Sequence, residues 1–299
     1  MTVRGEDALT ANLTGGLARL ARAHDGAGPV TVLKDTRVTV VRAGDVVVKA
    51  HPPGTDEAAL TARLRTAARL PGVLLAPLAE WIEQVEGRLV TVWPAGEPVD
   101  PDDPDGAPWE AAAGLLARLH AVPVDGLGLP PAGGPARLAR AVAQLDGLST
   151  TAAEVIREAF RSLPPEAADT GPGAGRLTHG DWHLGQLVRH QGEWLLIDVD
   201  DLGAGTPAWD LARPGAWFAT GFLAPDLWLR FLTAYLLAGG TAVPQGDPWR
   251  ELDVPARALT VQLAATAVAA ARTEDRPLDD VEEALVSSCG RIISTALPQ

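Results

Sequence analysis

Apolar residues form short runs in the first third of the chain and longer stripes at helical spacing after it. Short apolar runs bounded by turn residues predict strands. We expect strands at 30–33, 38–42, 46–49, 81–84 and 89–93. Leucines at helical spacing predict a helix over 7–23, and a second helix is expected over 56–70 with Thr55 or Asp56 as its N-cap.

The rest of the chain is dominated by helical spacing. Helices are expected over 109–120, 136–145, 152–163 and from Asp210 to the end, with breaks at 239–240 and 244–248. Glycine and proline predict loops at 126–135 and 169–175. The second loop contains Gly171-Pro172-Gly173-Ala174-Gly175, which lacks the Gly-Lys-Ser/Thr ending of a phosphate-binding loop. No internal repeat of 20–50 residues is apparent.

The chain is acidic, with 25 basic against 38 acidic residues and a net charge of −13. This balance argues against a nucleic-acid partner, because phosphate binding needs a basic face. It is compatible with a cationic substrate, although an acidic surface that only maintains solubility gives the same balance.

Cysteine usage and apolar patterning indicate the compartment. The single cysteine, Cys289, excludes a disulfide framework and a cysteine-based metal site. Residues 1–10 contain Glu6 and Asp7 and lack the apolar segment of a secretory signal. The longest apolar stretch, 259–271, is shorter than a bilayer-spanning helix. We therefore expect a cytoplasmic protein without a membrane partner.

Only two of the 25 basic residues are lysines, Lys34 and Lys49. Lys49 ends the apolar strand predicted at 46–49, where a buried ammonium group needs a partner. A lysine that reaches solvent from the strand end is the alternative. Because arginine cannot readily replace a compact ammonium group, a lysine kept in an arginine-rich chain favours a binding role for Lys49. Lys34 is typical of an ordinary strand or loop charge.

The most informative segment combines two histidines, an aspartate and an amide: His179-Gly180-Asp181-Trp182-His183-Leu184-Gly185-Gln186. Asp198 follows it by twelve residues. Between them, two short apolar runs predict a hairpin with its turn at 190–193. Folding this hairpin about residue 192 places Gln186 opposite Asp198, with Asp181 at the same end.

Two metals are conceivable at this segment. Asp181, Asp198 and Gln186 offer hard oxygen ligands, which suit Mg²⁺ rather than zinc. His179, Asp181 and His183 also form the pattern H-x-D-x-H, which could bind zinc from a strand. That alternative needs further ligands, and none of the other four histidines stands at a metal-like spacing from it.

These motifs resemble those of the aminoglycoside phosphotransferase and choline kinase-like families, relatives of the protein kinases. Residues 179–186 are similar to the catalytic loop H-G-D-x-H-x-x-N of these families, and 196–200 to their metal-binding I-D-x-[DE] segment. Residues 207–211 are similar to their D-P-A-x-D-L segment. Matched positions cover 177–212, with weaker similarity from about 30 to 122.

The resemblance implies roles for the central residues. Asp181 would be the catalytic aspartate that orients the acceptor hydroxyl and takes its proton, and Asp198 would hold the Mg²⁺ that bridges the donor phosphates. Gln186 stands where these families have Asn, so its carbonyl would ligate the metal from a side chain one methylene longer. Thr206 replaces the first Asp of the D-P-A segment.

Supporting roles are implied for four further residues. His179 and His183 would brace the catalytic loop, and Asp210 would cap a helix or hold the same loop. One of Asp200 and Asp201 would be a carboxylate close to the metal or at a second metal, and the other would be exposed to solvent; Asp200 is the candidate for the supporting role.

The resemblance also implies a donor site in the first third of the chain. Lys49 would contact the donor phosphates and pair with a carboxylate of the helix over 56–70. Glu57 and Asp56 are the candidates, although either acid could serve the helix dipole instead. The turn at 35–37 stands where a phosphate-covering loop is expected, yet it contains no glycine.

The implied architecture is a bilobal protein-kinase-like fold of the α+β class. A small β-sheet lobe would occupy residues 1–93 and a larger, mainly helical lobe residues 99–299, joined by a hinge at 94–98. At the hinge, the backbone of Trp93 and Ala95 would meet the nucleobase of ATP or GTP.

The implied reaction is Mg²⁺-dependent transfer of the γ-phosphoryl group of ATP or GTP to a hydroxyl of a small molecule. An aminoglycoside-like antibiotic, which is cationic, fits the families and the acidic chain. A sugar or amino sugar fits Gln186, because Gly185-Gln186 resembles the loop of maltokinase-like members. An inactive nucleotide-binding regulator is the alternative of another class; the glycine-free turn suggests it, and the presence of both Asp181 and Asp198 opposes it.

Overall fold

A computed structural model describes residues 3–168 and 175–296, with side chains for 12–168 and 175–295. The helices are α1 (Val3–Ala23), α2 (Glu57–Arg69), α3 (Trp109–His120), α4 (Gly134–Ala143), α5 (Thr151–Ser162), α6 (Ala208–Thr220), α7 (Pro225–Leu237), α8 (Trp249–Thr273) and α9 (Asp280–Ala296). The strands are β1 (Val30–Asp35), β2 (Thr39–Ala43), β3 (Val46–Ala50), β4 (Glu83–Val85), β5 (Arg88–Pro94), β6 (Glu97–Pro98), β7 (Arg176–Thr178), β8 (Leu187–His190), β9 (Glu193–Leu196) and β10 (Gly203–Gly205). The glycine-rich segment predicted as a loop at 169–175 lies outside the described residues, except for Gly175.

The chain divides into two compact units. The first comprises Met1–Pro104, Gly126–Leu129 and Gly185–Asp200, and the second comprises Asp105–Asp125, Pro130–Leu184 and Asp201–Gln299. Gln186 and Asp198 therefore belong to the first unit, and Asp181 belongs to the second. The lobe limits expected at 93 and 99, with a hinge at 94–98, stay a prediction.

The first unit is built on a five-stranded antiparallel sheet in the order β1-β2-β3-β5-β4. Lys49 stands in the central strand, paired with Val40 of β2 and Thr91 of β5. The backbone ladders on both sides fix its position. The buried core of this sheet and α1 includes Leu13, Leu17, Val41, Val48 and Val92, and each such side chain contributes roughly 1.5–3 kcal/mol on burial.

The β8–β9 hairpin has a tighter turn than the sequence suggested. His190 pairs with Glu193, so the turn consists of two residues, Gln191 and Gly192. Both have positive φ, 51° and 88°, as a type I′ turn requires. Glutamine is not among the usual first residues of a type I′ turn, so the sequence pattern did not predict a two-residue turn.

The tighter turn shifts the register of the hairpin by one residue. Its centre lies between residues 191 and 192, and the N–H of Ile197 donates to the carbonyl of Gln186 at 2.9 Å. The predicted pairing of Gln186 with Asp198 is therefore wrong. Asp198 comes next with a φ of 62°, a left-handed conformation that aspartate tolerates better than most residues, and the strand ladder ends before it.

The second unit is mainly helical. One core joins α4, α5, α8 and α9 through Leu138, Ile156, Val261 and Leu285 among others. α3 and α7 pack through Trp109 and Phe231, whose rings meet edge-on with centroids 6.0 Å apart. The short antiparallel pair of β7 and β10 ends at Thr178, directly before the predicted catalytic loop.

α8 is the one helix in the described ranges that is long and apolar enough to cross a membrane by length and composition. The apolar stretch noted at 259–271 is thus the inner part of a 25-residue helix. Because 61% of its most apolar window is buried inside the protein, α8 has the character of a core helix, and the finding is weak evidence for a membrane span.

Several elements follow the local sequence closely. α3 spans the predicted residues 109–120, and Asp56 caps α2 by accepting hydrogen bonds from the N–H groups of Ala58 and Ala59 at 2.9 and 3.0 Å. The strand predicted at 81–84 begins two residues later, at Glu83, and the side chain of Trp81 is exposed.

Candidate active site

A cavity of about 300 Å³ opens in the first unit. Its apolar walls include Val38, Val40, Val47, Leu75, Trp93, Val188 and Ile197. Its polar lining includes Lys49, Gln186, Asp198 and Asp200. Apolar walls with a few convergent polar groups are typical of a pocket for a small organic ligand.

Lys49 is a buried cation held by two carboxylates. Its Nζ lies 2.6 Å from Asp198 Oδ1 and 2.8 Å from Asp200 Oδ2, and 11% of its side chain is exposed. Burial alone would lower the pKa of Lys49, but the attraction of the two carboxylates outweighs it, so the pKa is raised and the amine stays charged. The alternative of a strand-end lysine that reaches solvent is wrong.

Glu57 does not provide the partner that was predicted for Lys49. Its side chain is exposed in the first turn of α2, and Asp56 is occupied as the N-cap. Within the described ranges, the carboxylates at ion-pair distance from Lys49 are those of Asp198 and Asp200. Because α2 holds no acidic residue besides Glu57, no carboxylate from the interior of this helix can replace them.

His51 also borders this site, and it was not among the predicted residues. Its Nδ1 lies 3.3 Å from Asp200 Oδ1 and its Nε2 lies 2.9 Å from Thr91 Oγ1, in a ring that is almost fully buried. Burial raises the pKa of Asp200, yet Lys49 and His51 together hold it well below its usual range. Strand periodicity was the available signal, since residues two apart share a face and His51 follows Lys49 by two.

Gln186, Asp198 and Asp200 provide oxygen donors for a divalent cation. Gln186 lies in a short 3₁₀ turn, is buried, and lines the cavity with both aspartates. Asp200 contacts Lys49 through Oδ2 and His51 through Oδ1, and Asp198 contacts Lys49 through Oδ1. Mg²⁺ takes oxygen ligands, often one or two carboxylates with phosphate and water oxygens. The chemistry of these oxygen donors is compatible with Mg²⁺, and the metal role predicted for Asp198 and Gln186 stays a prediction.

The two predicted hinge residues differ in their surroundings. Trp93 lines the cavity. Ala95 donates its N–H to the carbonyl of Asp45 at 2.7 Å and accepts a hydrogen bond from His190 Nδ1 at 2.9 Å. The Ala95 N–H is thus already used inside the protein, so a nucleobase cannot take it without breaking a backbone hydrogen bond.

In the second unit, Asp181 lies between two arginines. Its Oδ2 is 2.9 Å from Arg137 Nη2, and its Oδ1 is 3.2 Å from Arg213 Nη2. Burial raises the pKa of Asp181 and outweighs the lowering by both guanidinium groups. Arg137 comes from α4 and Arg213 from α6, far from the loop in the chain, and neither was among the predicted residues.

Asp210 anchors the predicted catalytic loop through hydrogen bonds to its backbone. Its fully buried carboxylate accepts hydrogen bonds from the backbone N–H groups of His179 at 2.7 Å and Gly180 at 2.9 Å. The same carboxylate meets His120 Nε2 at 3.0 Å. Its surroundings match the brace suggested by the sequence, and a helix-capping bond would not explain them.

The contacts of Asp210 extend through His120 to Tyr235. His120 Nε2 lies 3.0 Å from Asp210 Oδ2, and its Nδ1 lies 2.8 Å from the Tyr235 hydroxyl oxygen. The Tyr235 oxygen in turn accepts the N–H of Ala242 at 3.0 Å. Burial raises the pKa of Tyr235 to about 12, which keeps the hydroxyl protonated.

The predicted catalytic loop has one position, Gly180, that requires glycine. Gly180 has a φ of 84°, and a Cβ there would overlap the carbonyl oxygen of Asp201 and lie 2.8 Å from the backbone nitrogen of Gly133. Only glycine combines this conformation with so close an approach of backbone to backbone. The Gly of the H-G-D motif thus permits the placement of Asp181.

The two histidines of the loop take different positions. His179 is fully buried, and His183 borders a small niche with Trp109 and Trp217. Among the residues that the structure describes, no three of His, Cys, Asp and Glu converge as metal ligands. The H-x-D-x-H pattern therefore does not form a zinc triad.

Solved structures with a similar fold are phosphotransferases and kinases. A choline/ethanolamine kinase family protein from Mesorhizobium loti is 18% identical, over 97% of this chain and 95% of that chain, with a TM-score of 0.63. A thermostable mutant of aminoglycoside phosphotransferase APH(4)-Ia, in a ternary complex with AMP-PNP and hygromycin B, is 13% identical over 95% and 99%, with a TM-score of 0.61. The macrolide 2'-phosphotransferase MphH from Brachybacterium faecium is 19% identical over 94% and 98%, with a TM-score of 0.52.

These likenesses show the fold and confirm the predicted α+β, protein-kinase-like class. A search of curated proteins found no match. The Phosphotransferase enzyme family (APH) matches residues 34–252, more than two thirds of the chain, including both the lysine strand and the catalytic loop. The protein therefore belongs to the Phosphotransferase enzyme family and is a phosphotransferase that acts on hydroxyl groups.

Proposed function

We propose that this phosphotransferase moves the γ-phosphoryl group of ATP or GTP to a hydroxyl of a small molecule, with Mg²⁺ held at Asp198. The observation that carries the proposal is the buried Lys49, paired with Asp198 and Asp200 at a largely apolar cavity. A lysine and metal-binding carboxylates near the donor phosphates are the recurring parts of phosphoryl transfer. A similar fold has been solved with AMP-PNP, which also favours a nucleotide donor.

The donor would lie in the cavity of the first unit. Valines from β2 and β3 and the ring of Trp93 offer apolar surface for a nucleobase. Lys49 would exchange part of its contact with Asp198 for a phosphate oxygen, so its charge stays compensated throughout. The ammonium is prepositioned by the β3 ladder, and little reorganisation is needed when the donor binds.

Asp198 and Gln186 would hold the cation. When bound, Mg²⁺ supplies neutralisation of the charge on the donor phosphates. Asp200 keeps Lys49 and His51 in place through its two oxygens, so its role in the proposal is to position the lysine.

Asp181 would orient the acceptor hydroxyl and accept its proton. The backbone N–H groups of His179 and Gly180, bound to Asp210, fix the loop that presents it. Phosphoryl transfer needs little covalent help from the protein, and positioning with charge neutralisation dominates. A carboxylate held in a fixed position, as proposed for Asp181, would be sufficient to orient the acceptor hydroxyl.

The acceptor is a hydroxyl compound in this proposal, and the aminoglycoside-like antibiotic expected from the sequence is one candidate. The names of similar structures, an aminoglycoside and a macrolide phosphotransferase, favour antibiotic-like acceptors. A sugar or amino sugar stays as the alternative suggested by Gln186. The expected cytoplasmic location belongs to the same proposal.

Two variants of the full chain test the proposal. Asp181→Asn should keep Mg²⁺-nucleotide binding while transfer falls by about 10²–10⁴, the usual contribution of a positioned acid–base group. Asp198→Ala should lose Mg²⁺-dependent nucleotide binding, measured by calorimetry, while its melting curve shows a folded protein. Release of ADP or GDP is followed with antibiotics, sugars and amino sugars as acceptors.

Two outcomes would count against the proposal. Unchanged Mg²⁺-nucleotide affinity in folded Asp198→Ala would remove Asp198 as the metal ligand. A parent protein that binds the nucleotide but phosphorylates none of the acceptors would favour the inactive regulator.

A further inference from the structure

The charge around Asp181 is unexpected for an enzyme of cationic substrates. Arg137 and Arg213 contact the carboxylate directly, at 2.9 and 3.2 Å. The other carboxylate that acts on Asp181 is that of Asp201. Asp201 is itself neutralised by Arg137 at 2.9 Å and by Arg140 at 3.8 Å. The cluster thus holds three guanidinium groups against two carboxylates.

Arg213 retains hydrogen-bonding capacity after its contact with Asp181. It donates to Asp181 through Nη2, and its buried Nε has no hydrogen-bond partner within the described part of the chain. Its side chain is 12% exposed, so water offers this guanidinium little compensation. The planar fork of arginine matches carboxylate and phosphate groups through paired hydrogen bonds.

The charges close to Asp181 affect acceptor binding more than the net charge of the chain does. The chain carries −13 overall, but salt screens exposed charges beyond roughly 8 Å under physiological conditions. Arg137 and Arg213 contact Asp181 directly, so an acceptor hydroxyl that reached Asp181 would lie beside the guanidinium groups, where screening is weak. A polycationic acceptor would meet arginines at the catalytic base and no uncompensated carboxylate in this cluster.

We propose that the acceptor carries an anionic oxygen group, a carboxylate or a phosphate, beside the hydroxyl that is phosphorylated, and that Arg213 and Arg137 bind it. This inference rests on the proposed function, since it concerns the acceptor of the same reaction, and among the candidate acceptors it disfavours the cationic aminoglycoside. Binding of the anion would also draw the guanidinium groups partly away from Asp181, which leaves its carboxylate available to the acceptor hydroxyl.

A set of matched sugars tests the charge preference. The full chain with Mg²⁺ and ATP or GTP is given glucose, glucuronate, glucose 6-phosphate, glucosamine and hygromycin B, and nucleoside diphosphate release is measured. We expect the anionic sugars to have the highest kcat/KM, and comparison of glucuronate with glucose 6-phosphate separates a carboxylate from a phosphate preference. Higher kcat/KM for glucose, glucosamine or hygromycin B would overturn the inference.

Variants of Arg213 test whether this residue is responsible for the preference for anionic acceptors. Arg213→Gln should raise the KM for the preferred anionic acceptor by about 10–10²-fold, the effect of losing a charge-assisted hydrogen bond, with the KM for nucleotide unchanged. Arg213→Lys keeps the charge but loses the planar guanidinium group, so its KM for the anionic acceptor should lie between those of the parent and Arg213→Gln. Arg257→Gln, which removes an α8 arginine paired with Asp253, is the matched control. A fall in kcat that is equal for all acceptors would show that the arginines only position Asp181.

Binding without turnover separates this inference from the proposed function. Calorimetry with glucuronate, glucose and glucosamine, in the presence of Mg²⁺ and a non-hydrolysable nucleotide, needs no reaction. Tighter binding of glucuronate that is lost in Arg213→Gln supports the anion site even if no acceptor is phosphorylated, a result that would count against the proposed function alone. Equal binding of the three sugars overturns the anion site, whatever the turnover.

Discussion

Lys49 Nζ lies 2.6 Å from Asp198 Oδ1, although the two residues are 149 positions apart in the chain. Asp198 is the first residue after the β9 segment to adopt a left-handed backbone, with a φ of 62°. Asp200 approaches the same ammonium at 2.8 Å. One buried cation thereby links the central strand of the sheet to the segment that would bind the metal.

The first prediction concerns Lys49. Lys49→Ala leaves Asp198 and Asp200 without their shared cation, so we expect kcat/KM for the nucleotide to fall on the order of 10²-fold, as for loss of one preorganised donor. The free energy of unfolding should fall by about 1–3 kcal/mol, less than for a fully buried pair because both carboxylates keep some contact with water. Steady-state kinetics with varied nucleotide and urea unfolding measure the two effects.

An exposed arginine of the same unit serves as the control for Lys49. Arg189→Gln on β8 removes a cation outside the cavity lining and should change neither quantity appreciably. Nucleotide kinetics in Lys49→Ala that match those of the parent would reduce Lys49 to a structural charge.

The second prediction concerns Asp210. Asp210→Asn keeps the shape but replaces one acceptor oxygen by a donor, which faces the N–H groups or the His120 ring. We expect the free energy of unfolding to fall by about 2–4 kcal/mol, because buried donors lose their partner. Asp253→Asn, on a half-exposed residue of α8, should stay within roughly 0.5 kcal/mol of the parent. Urea unfolding of both variants checks this, and equal stability would mean that the loop is held by other contacts.

Local patterns predicted most of the elements because their causes are local. The limits of α3 follow from apolar residues at helical spacing, and the start of α2 follows from the capping side chain of Asp56. The β8–β9 hairpin was also visible in its apolar runs. The register of the hairpin was not predicted correctly, because it depends on the two-residue turn at Gln191, whose positive φ is unusual for glutamine.

The partners of the site residues were harder to predict, since they depend on the tertiary structure. Lys49 was expected to pair with an acid of α2, and it pairs instead with Asp198 and Asp200. Arg137 and Arg213 reach Asp181 from separate helices, and no spacing in the sequence marks them. Motifs predicted the reactive residues, while the charges that surround them are visible only in the folded structure.

The third prediction concerns Gln186. The backbone carbonyl of Gln186 accepts a hydrogen bond from the N–H of Ile197 at 2.9 Å. The backbone therefore cannot readily move toward the metal if the side chain is shortened. Gln186→Asn should therefore leave the amide oxygen short of the metal, and ~1 Å errors in a site can cost on the order of 10²-fold in rate. Gln186→Glu keeps the reach and adds a negative charge, so Mg²⁺ should bind more tightly and the donor phosphates less favourably.

Mg²⁺ titrations of the rate, compared with melting curves, separate the two possible roles of Gln186. A metal ligand should change the Mg²⁺ dependence in both variants. If both variants alter the melting temperature and leave the Mg²⁺ dependence unchanged, Gln186 is a structural residue of the loop.

The last prediction concerns the pH dependence of the reaction. Burial raises the pKa of Asp181, and Arg137 and Arg213 each act to lower it. In the proposed reaction Asp181 takes the proton of the acceptor hydroxyl, which it can do only as a carboxylate, so we expect activity to be lost as the pH falls through this pKa. Arg137→Met removes one of the charges that lower the pKa of Asp181 and should raise this pKa further, moving the acid limb of the kcat profile to higher pH.

Arg140→Met is the control for this prediction. It removes the same charge one turn later on α4, where the guanidinium is half exposed and 3.8 Å from Asp201, and should move the acid limb less. Profiles of kcat against pH for the parent and both variants, at saturating acceptor, measure the effect; an acid limb that moves equally in both, or not at all in Arg137→Met, would show that it reports a group other than Asp181.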